Sequence, residues 1–139
     1  MPDGSPGPLI DAARALLPRA AAPYSGFRVA AALEDADGNV HPGVNVESVS
    51  YGLSLCAERN ALFGAIARGA REFRRMALVS SGPAAVIPCG ACRQLLHEYA
   101  PDLTVILVGP QGAPHEEISI RDLLPRPFDH FDRADPPKA

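Results

Sequence analysis

The chain has 139 residues, 47% of them apolar, and a net charge of −3 from 13 basic and 16 acidic residues. That length suits one domain built around a single sheet, and every apolar run falls short of the roughly 18 residues that a membrane span needs. No run of lysine and arginine exceeds two residues, which argues against a nucleic-acid partner because neutralising phosphates requires a basic stripe.

The ends of the chain and its thiols set further expectations. Residues 1–8 have neither the basic nor the apolar stretch of a signal peptide. The odd count of three cysteines argues against a disulfide framework and for a reducing compartment. We therefore expect a cytoplasmic protein. Prolines near both ends predict a flexible N-terminus over 1–8, a single domain over 9–128 and a flexible tail over 129–139.

The first part of the chain predicts a helix followed by a hairpin. Apolar residues recur at helical spacing over 9–17, which is typical of a short amphipathic helix. Strands are predicted over 27–34 and 40–47, and the Asp- and Gly-containing segment 35–39 between them predicts a hairpin turn. Pro42 has no N–H to donate to a neighbouring strand, so the second strand is expected at an edge of the sheet.

The rest of the chain alternates helices with strands. One helix is predicted over 56–68 and is closed by Gly69 in a left-handed cap. The remaining predicted elements are, in chain order, a strand over 76–81, a helix over 89–99, strands over 103–108 and 116–120, and a helical turn over 121–124. This alternation predicts a three-layer α/β/α fold around a central, mixed, five-stranded sheet.

The three cysteines are the most informative feature of the sequence. Cys89 and Cys92 are three residues apart at one predicted helix start, and Cys56 stands at another. Helix N-termini stabilise thiolates through their dipole and free N–H groups. A structural zinc site normally has four protein ligands, whereas a catalytic site has three and leaves the fourth position to water. The pattern therefore predicts a catalytic zinc site.

Two charged residues follow Cys56 closely. Glu58 is placed to handle the protons of a water at the zinc. Arg59 lies three residues after Cys56 and so on its side of the helix, where we expect it to donate hydrogen bonds to the sulfurs and offset their charge. Taken singly, each feature has an ordinary explanation. Glu58 is also consistent with an acidic residue that stabilises the first turn of a helix. A C-x-x-C pair is also consistent with two buried small residues or with a redox pair.

Taken together, these motifs resemble those of the small, all-cysteine, homotetrameric cytidine deaminases. The similarity extends from about Pro23 to Phe128 and comprises the segments 22–27, 43–47, 50–53, 56–59, 88–94 and 123–125. It implies one zinc ion per subunit and hydrolytic deamination of cytidine and 2′-deoxycytidine to uridine and 2′-deoxyuridine, with release of ammonia, in pyrimidine salvage. It also implies the cytidine deaminase-like fold and a homotetramer.

The resemblance also implies contacts with a nucleoside. Asn45 and Glu47 would hydrogen-bond the ribose, chiefly its 3′-hydroxyl, and their spacing of two puts them on one face of a strand. Phe27 would pack against the pyrimidine face, although a phenylalanine at a strand start is also a common core residue. The backbone of Ala57 and the carboxylate of Glu58 would bind the edge of the base.

Three further positions carry implied roles. Tyr51 and Phe128 match positions that complete a neighbouring subunit's pocket. Gln94 matches a position that supports the cysteine ligands, although an exposed helix glutamine would look the same. The chain departs from the usual pattern at Val44, Ser48, Val49, Asn60 and Ile87, which leaves its substrate breadth open.

Three other functions remain as alternatives. One is a deaminase of a cytosine-containing antibiotic, such as a blasticidin-S-type enzyme, although the Asn45 and Glu47 pair favours a plain nucleoside. Nucleic-acid editing is disfavoured by the acidic charge balance. A non-catalytic zinc-stabilised module would need a fourth protein ligand, and the four histidines lie outside the motifs.

Overall fold

A computed structural model of the protein describes residues 4–131. Its elements are, in chain order, α1 (Gly7–Leu16), β1 (Val29–Asp35), β2 (Val40–Val44), α2 (Ala57–Ala67), β3 (Phe73–Ser80), α3 (Gly90–Tyr99), β4 (Thr104–Leu107), β5 (Glu116–Ser119) and α4 (Ile120–Leu123). The five strands form one sheet in the order β2-β1-β3-β4-β5. Only the β3–β4 pair is parallel, so the sheet is mixed as predicted. Within the described residues, no helix has the length and apolar character of a membrane span.

Helices cover both faces of this sheet. On one face, α1 buries Leu9 and Ala13 against alanines of β1, an alanine and a valine of β3 and Ile106 of β4. On the other face, α2 and α3 pack over a second cluster that includes Leu33 and Met76. Because side chains alternate along a strand, each central strand contributes to both clusters. The predicted three-layer α/β/α fold is confirmed.

The strand β4 is buried on both of its faces. Val105 and Leu107 belong to the cluster under α2 and α3, and Ile106 belongs to the cluster under α1. A short and wholly apolar run is typical of such a central strand. In contrast to this central strand, β2 pairs with one neighbouring strand only. This pairing confirms the edge position predicted from Pro42.

Several element boundaries differ from the prediction. Helix α1 begins at Gly7, two residues earlier than predicted, because a proline fits the first turn of a helix. Strand β1 begins at Val29 and not at residue 27, so Phe27 precedes the sheet. Strand β2 ends at Val44 and not at residue 47. Beyond it, Val46 forms only isolated bridges, so Phe27, Asn45 and Glu47 all lie outside the regular strands.

Strand β2 approaches helix α2 most closely at Gly43. A Cβ atom on Gly43 would lie 2.2 Å from the carbonyl oxygen of Ala57 and 2.6 Å from the backbone nitrogen of Ala61. The Asn60 side chain also accepts a hydrogen bond of 3.0 Å from the backbone N–H of Val44. These contacts hold the first turn of α2 directly against the end of β2.

We expect Gly43→Ala to lower the free energy of unfolding by about 1–3 kcal/mol, the usual cost of overpacking a tight contact. The added methyl meets backbone atoms, which cannot rotate away as the end of a side chain can. Chemical unfolding followed by circular dichroism measures the change. Gly52→Ala is the matched control, because a Cβ at Gly52 has no atom within 4 Å; equal stability of the two variants would contradict the close approach.

Candidate active site

The three cysteines converge where the N-termini of α2 and α3 meet. Cys56 and Cys89 are the residues that cap α2 and α3, and Cys92 lies in the first turn of α3. The sulfurs of Cys56 and Cys89 are 3.9 Å apart, and all three sulfurs lie within 4.8 Å of one another. Tetrahedral zinc with Zn–S bonds of about 2.3 Å requires sulfurs about 3.8 Å apart. The donor set and its spacing therefore fit zinc.

The group contains three protein ligands. No other cysteine, histidine or carboxylate of residues 4–131 joins the three sulfurs. Cys92 is buried, Cys56 is half-buried and Cys89 is exposed, so the group is open on one side. Three thiolates with one open side are the arrangement of a catalytic zinc, whereas a structural zinc is normally enclosed by four protein ligands.

The local electrostatics favour a thiolate at Cys56. A hydrogen bond from the Cys92 thiol is the main cause that lowers the pKa of Cys56 to about 5. The Arg59 guanidinium, whose Nη2 lies 3.4 Å from the Cys56 sulfur, lowers it further. The same thiol–thiolate hydrogen bond, together with burial, raises the pKa of Cys92. Arg59 thus occupies the place beside the sulfurs that its spacing from Cys56 predicted.

Glu58 is the buried carboxylate of the site. It is 5% exposed and lies in the first turn of α2, two residues after Cys56. Burial is the main cause that raises the pKa of Glu58, and the negative charge of Cys56 contributes as well. A carboxylic acid whose pKa is raised toward neutrality can both take up and release a proton at working pH.

A cavity of about 400 Å³ opens directly onto Cys56, Cys89 and Glu58. Its lining brings together, from distant parts of the chain, the predicted site residues Phe27, Asn45, Glu47, Tyr51, Cys56, Ala57, Glu58, Arg59 and Cys89. The sequence did not identify the rest of its lining, which consists of Val29, Ser54, Leu55, Val86 and Ile87. The volume lies within the range of small-molecule sites.

Asn45 joins the end of β2 to the start of β1 beside this cavity. Its side-chain oxygen accepts a 2.8 Å hydrogen bond from the backbone N–H of Val29, and its amide nitrogen donates one of 2.9 Å to the carbonyl of Phe27. The side chain thus replaces the strand pairing that ends at Val44. Asn45 therefore holds Phe27 in place at the cavity wall.

Glu47 is an ionised group at the same wall. Its carboxylate accepts hydrogen bonds from the Ser25 hydroxyl at 2.5 Å and from the backbone N–H groups of Ser25 and Tyr24 at 3.1 Å each. The Ser25 hydroxyl is the main cause that lowers the pKa of Glu47. A carboxylate has about four acceptor positions, so Glu47 keeps acceptor capacity for a hydroxyl in the cavity.

Gln94 makes side-chain hydrogen bonds to the C-terminal segment, and the support of the cysteine ligands that the resemblance implies stays a prediction. Its side-chain amide donates to the carbonyl of Phe128 and accepts from the Phe128 N–H at 3.3 Å. Residues two apart on a helix do not face each other, which directs Gln94 away from Cys92. Gln94 thus holds the C-terminal segment of the domain.

The two aromatic residues expected to serve a neighbouring subunit are both exposed. Tyr51 is 84% exposed at the rim of the cavity. Phe128 is 66% exposed and lies outside the cavity lining, with its ring stacked on Phe131 at 6.3 Å between centroids. Residues 132–139, the rest of the predicted tail, lie outside the described residues.

Arg93 contributes a structural role that the sequence did not predict. Its Nε donates a 2.7 Å hydrogen bond to the carbonyl of Pro88, and its Nη1 donates one of 3.2 Å to the carbonyl of Leu123. These bonds tie the turn before Cys89 to the end of α4. Arg93 directly follows the second cysteine of C-x-x-C, and that adjacency is the only signal in the sequence that marks it.

Comparisons with known proteins identify the family. The model of the cytidine and deoxycytidylate deaminase zinc-binding region matches residues 8–108. The cytidine deaminase of Halalkalibacterium halodurans is 44% identical over 113 residues, which are 81% of this chain and 86% of the relative. Cytidine deaminase from Burkholderia pseudomallei has a similar structure, with a TM-score of 0.84, 46% identity and coverage of 89% of this chain and 99% of that one. The enzyme from Mycobacterium tuberculosis has a TM-score of 0.80 at 35% identity over 92% of this chain and all of its own. This chain belongs to the cytidine and deoxycytidylate deaminase family.

Proposed function

We propose that the protein is a zinc-dependent cytidine deaminase. It hydrolyses cytidine and 2′-deoxycytidine to uridine and 2′-deoxyuridine and releases ammonia, as a cytoplasmic enzyme of pyrimidine salvage. The observation that carries the proposal is a buried carboxylate, Glu58, beside a three-thiolate group that opens onto one cavity. The names of the related enzymes support the substrate class.

Cys56, Cys89 and Cys92 would hold the zinc, which would act as a Lewis acid and supply a nucleophile at neutral pH by lowering the pKa of a water to about 7. Glu58 takes one proton from the attacking water and passes it to N3 of the cytosine ring, which makes C4 more electrophilic, and the water oxygen bonds to C4. Glu58 then takes the remaining proton from the new C4 hydroxyl and delivers it to the amino group, which leaves as ammonia when the C4–N bond breaks. Its burial supports this double role, because the raised pKa lets it hold a proton between the two transfers.

The other cavity residues bind and orient the nucleoside. The ring of Phe27 packs against the pyrimidine, and the backbone of Ala57 binds the edge of the base. The carboxylate of Glu47 accepts a hydrogen bond from the 3′-hydroxyl of the ribose. Asn45 faces the same sugar and also restrains Phe27 through its backbone carbonyl, which is supported by the 2.9 Å hydrogen bond.

The proposed assembly is a homotetramer in which neighbouring subunits complete each cavity. A run of exposed apolar side chains beside the cavity supports an interface there, because exposed apolar clusters mark interaction sites. Val49 and Leu53 are each 75% exposed, and Tyr51 between them is 84% exposed. Phe128 is the second aromatic residue proposed to reach a neighbouring subunit.

The direct test is to incubate the purified, zinc-loaded protein with cytidine. We expect the ultraviolet absorbance change of cytosine conversion together with equimolar ammonia. Parallel reactions with 2′-deoxycytidine, blasticidin S and single-stranded DNA separate this function from antibiotic deamination and nucleic-acid editing. A zinc-loaded protein that releases no ammonia from cytidine would refute the proposal.

We expect Glu47→Gln to raise the KM for cytidine by about 10- to 100-fold, the usual effect of losing a hydrogen bond to a charged group. Turnover should fall much less, because Glu47 lies at the sugar and does not move a proton. Steady-state kinetics separates KM from kcat. Glu116→Gln serves as control, since Glu116 is an exposed carboxylate on β5 outside the cavity; an unchanged KM in Glu47→Gln would rule out the sugar contact.

A further inference from the structure

Gly82 lies against the ring of Phe27. Phe27 lines the cavity and Gly82 does not. A Cβ atom on Gly82 would lie 2.9 Å from Cε2 and 3.7 Å from Cζ of the Phe27 ring. The backbone of Gly82 is not among those with positive φ, so an alanine is allowed there by conformation. Glycine at this position makes room for the ring, and its φ does not itself require glycine.

Hydrogen bonds hold the backbone that leads into Gly82. Its N–H donates a 3.2 Å hydrogen bond to the Ser80 hydroxyl. Ser81 donates its N–H to the carbonyl of Arg28 at 2.9 Å, and the N–H of Arg28 donates to the Ser81 hydroxyl at 2.9 Å. The segment 80–82 is therefore tied to the residue that follows Phe27, and it cannot retreat from the ring.

The backbone of Phe27 is fixed as well. Its N–H donates a 2.9 Å hydrogen bond to the Ser25 hydroxyl, and its carbonyl accepts one of 2.9 Å from Asn45. The ring is 42% exposed, so it has room to rotate. A methyl group on Gly82 is consequently relieved by rotation of the Phe27 ring, and that rotation changes the cavity wall.

We propose that Gly82 is a positioning residue for the substrate, because its missing side chain sets where the Phe27 ring stands in the cavity. This inference rests on the proposed function, in which that ring packs against the pyrimidine. Gly82 acts only through Phe27 and contacts neither the cysteines nor Glu58. Its substitution changes substrate binding and leaves the zinc site and the proton transfers intact.

The first test compares Gly82→Ala with Gly109→Ala. A Cβ on Gly109 lies 3.4 Å from the Cβ of Ala113, an ordinary contact outside the cavity, so this control carries the same chemical change. We expect Gly82→Ala to raise the KM for cytidine about three- to tenfold, in proportion to a lost aromatic contact. Its kcat, zinc content and thermal midpoint should match those of Gly109→Ala.

The second test repeats the substitution in a Phe27→Leu background, where the ring that the new methyl would meet is gone. There, adding Gly82→Ala should leave KM unchanged. A KM increase that persists without the ring, or a Gly82→Ala enzyme with the KM of the control, would overturn the inference. So would a lower kcat or thermal midpoint than in Gly109→Ala.

The position of the Phe27 ring can be measured without an activity assay. A crystal structure of Gly82→Ala should show the Phe27 ring rotated from its wild-type position, and an unmoved ring would refute the steric step. A failure of the proposed function itself appears differently, as a zinc-loaded wild-type protein that does not deaminate cytidine. The two failures are therefore distinguishable.

Discussion

Glu58→Gln is expected to lower kcat for cytidine by roughly 10³- to 10⁴-fold, the upper part of the range for loss of general acid–base catalysis. The glutamine has nearly the same shape but cannot take up the proton that Glu58 is proposed to transfer. Zinc content should stay at one ion per chain, because the metal site consists of the three cysteines. Turnover is measured by ultraviolet absorbance and ammonia release, and zinc by elemental analysis.

The stability of this variant provides a second, independent readout. Burial raises the pKa of Glu58, which means that the fold disfavours its charged form. A neutral amide of the same shape removes that cost, so the thermal midpoint of zinc-free Glu58→Gln should equal or exceed that of the zinc-free wild type. Glu72→Gln is the control, since Glu72 is exposed and outside the cavity. Near-normal turnover in fully zinc-loaded Glu58→Gln would refute the assigned role.

Cys92→Ala is expected to remove both the zinc and the activity. Cys92 is the buried member of the sulfur group, and its loss leaves two protein ligands, too few for a stable zinc site. Because metal binding to a preformed site also stabilises the fold, wild-type protein should lose thermal stability when a chelator is added. The midpoint of Cys92→Ala should instead be the same with and without chelator.

Elemental analysis and thermal unfolding together test this prediction. Ala91→Ser is the matched control, since Ala91 occupies the same turn of α3 on its exposed side and supplies no sulfur. It should keep full zinc and full turnover. A Cys92→Ala protein that holds stoichiometric zinc would contradict the three-cysteine site. A wild-type protein whose thermal midpoint is the same with and without chelator would contradict it as well.

The chemistry of the site could be predicted from local sequence. Cys56, Cys89 and Cys92 stand at or beside the starts of helices that the sequence predicts over 56–68 and 89–99, and the structure begins these helices at Ala57 and Gly90. The place of Arg59 beside Cys56 follows from the three-residue spacing within one helix. Local interactions also predicted the hairpin, the edge position of β2 and the left-handed conformation of Gly69.

Only the tertiary structure determined which of these elements meet. The convergence of Cys56 with Cys89 spans 33 residues and depends on α2 and α3 packing on the same face of the sheet. Gln94 bonds to Phe128, and Gly82 lies against Phe27, because helix and loop packing bring distant segments together. Residue type and spacing thus determined which groups can bind a metal. Burial and long-range packing decided the shape of the cavity, the raised pKa of Glu58 and the position of the Phe27 ring against which the base is proposed to pack.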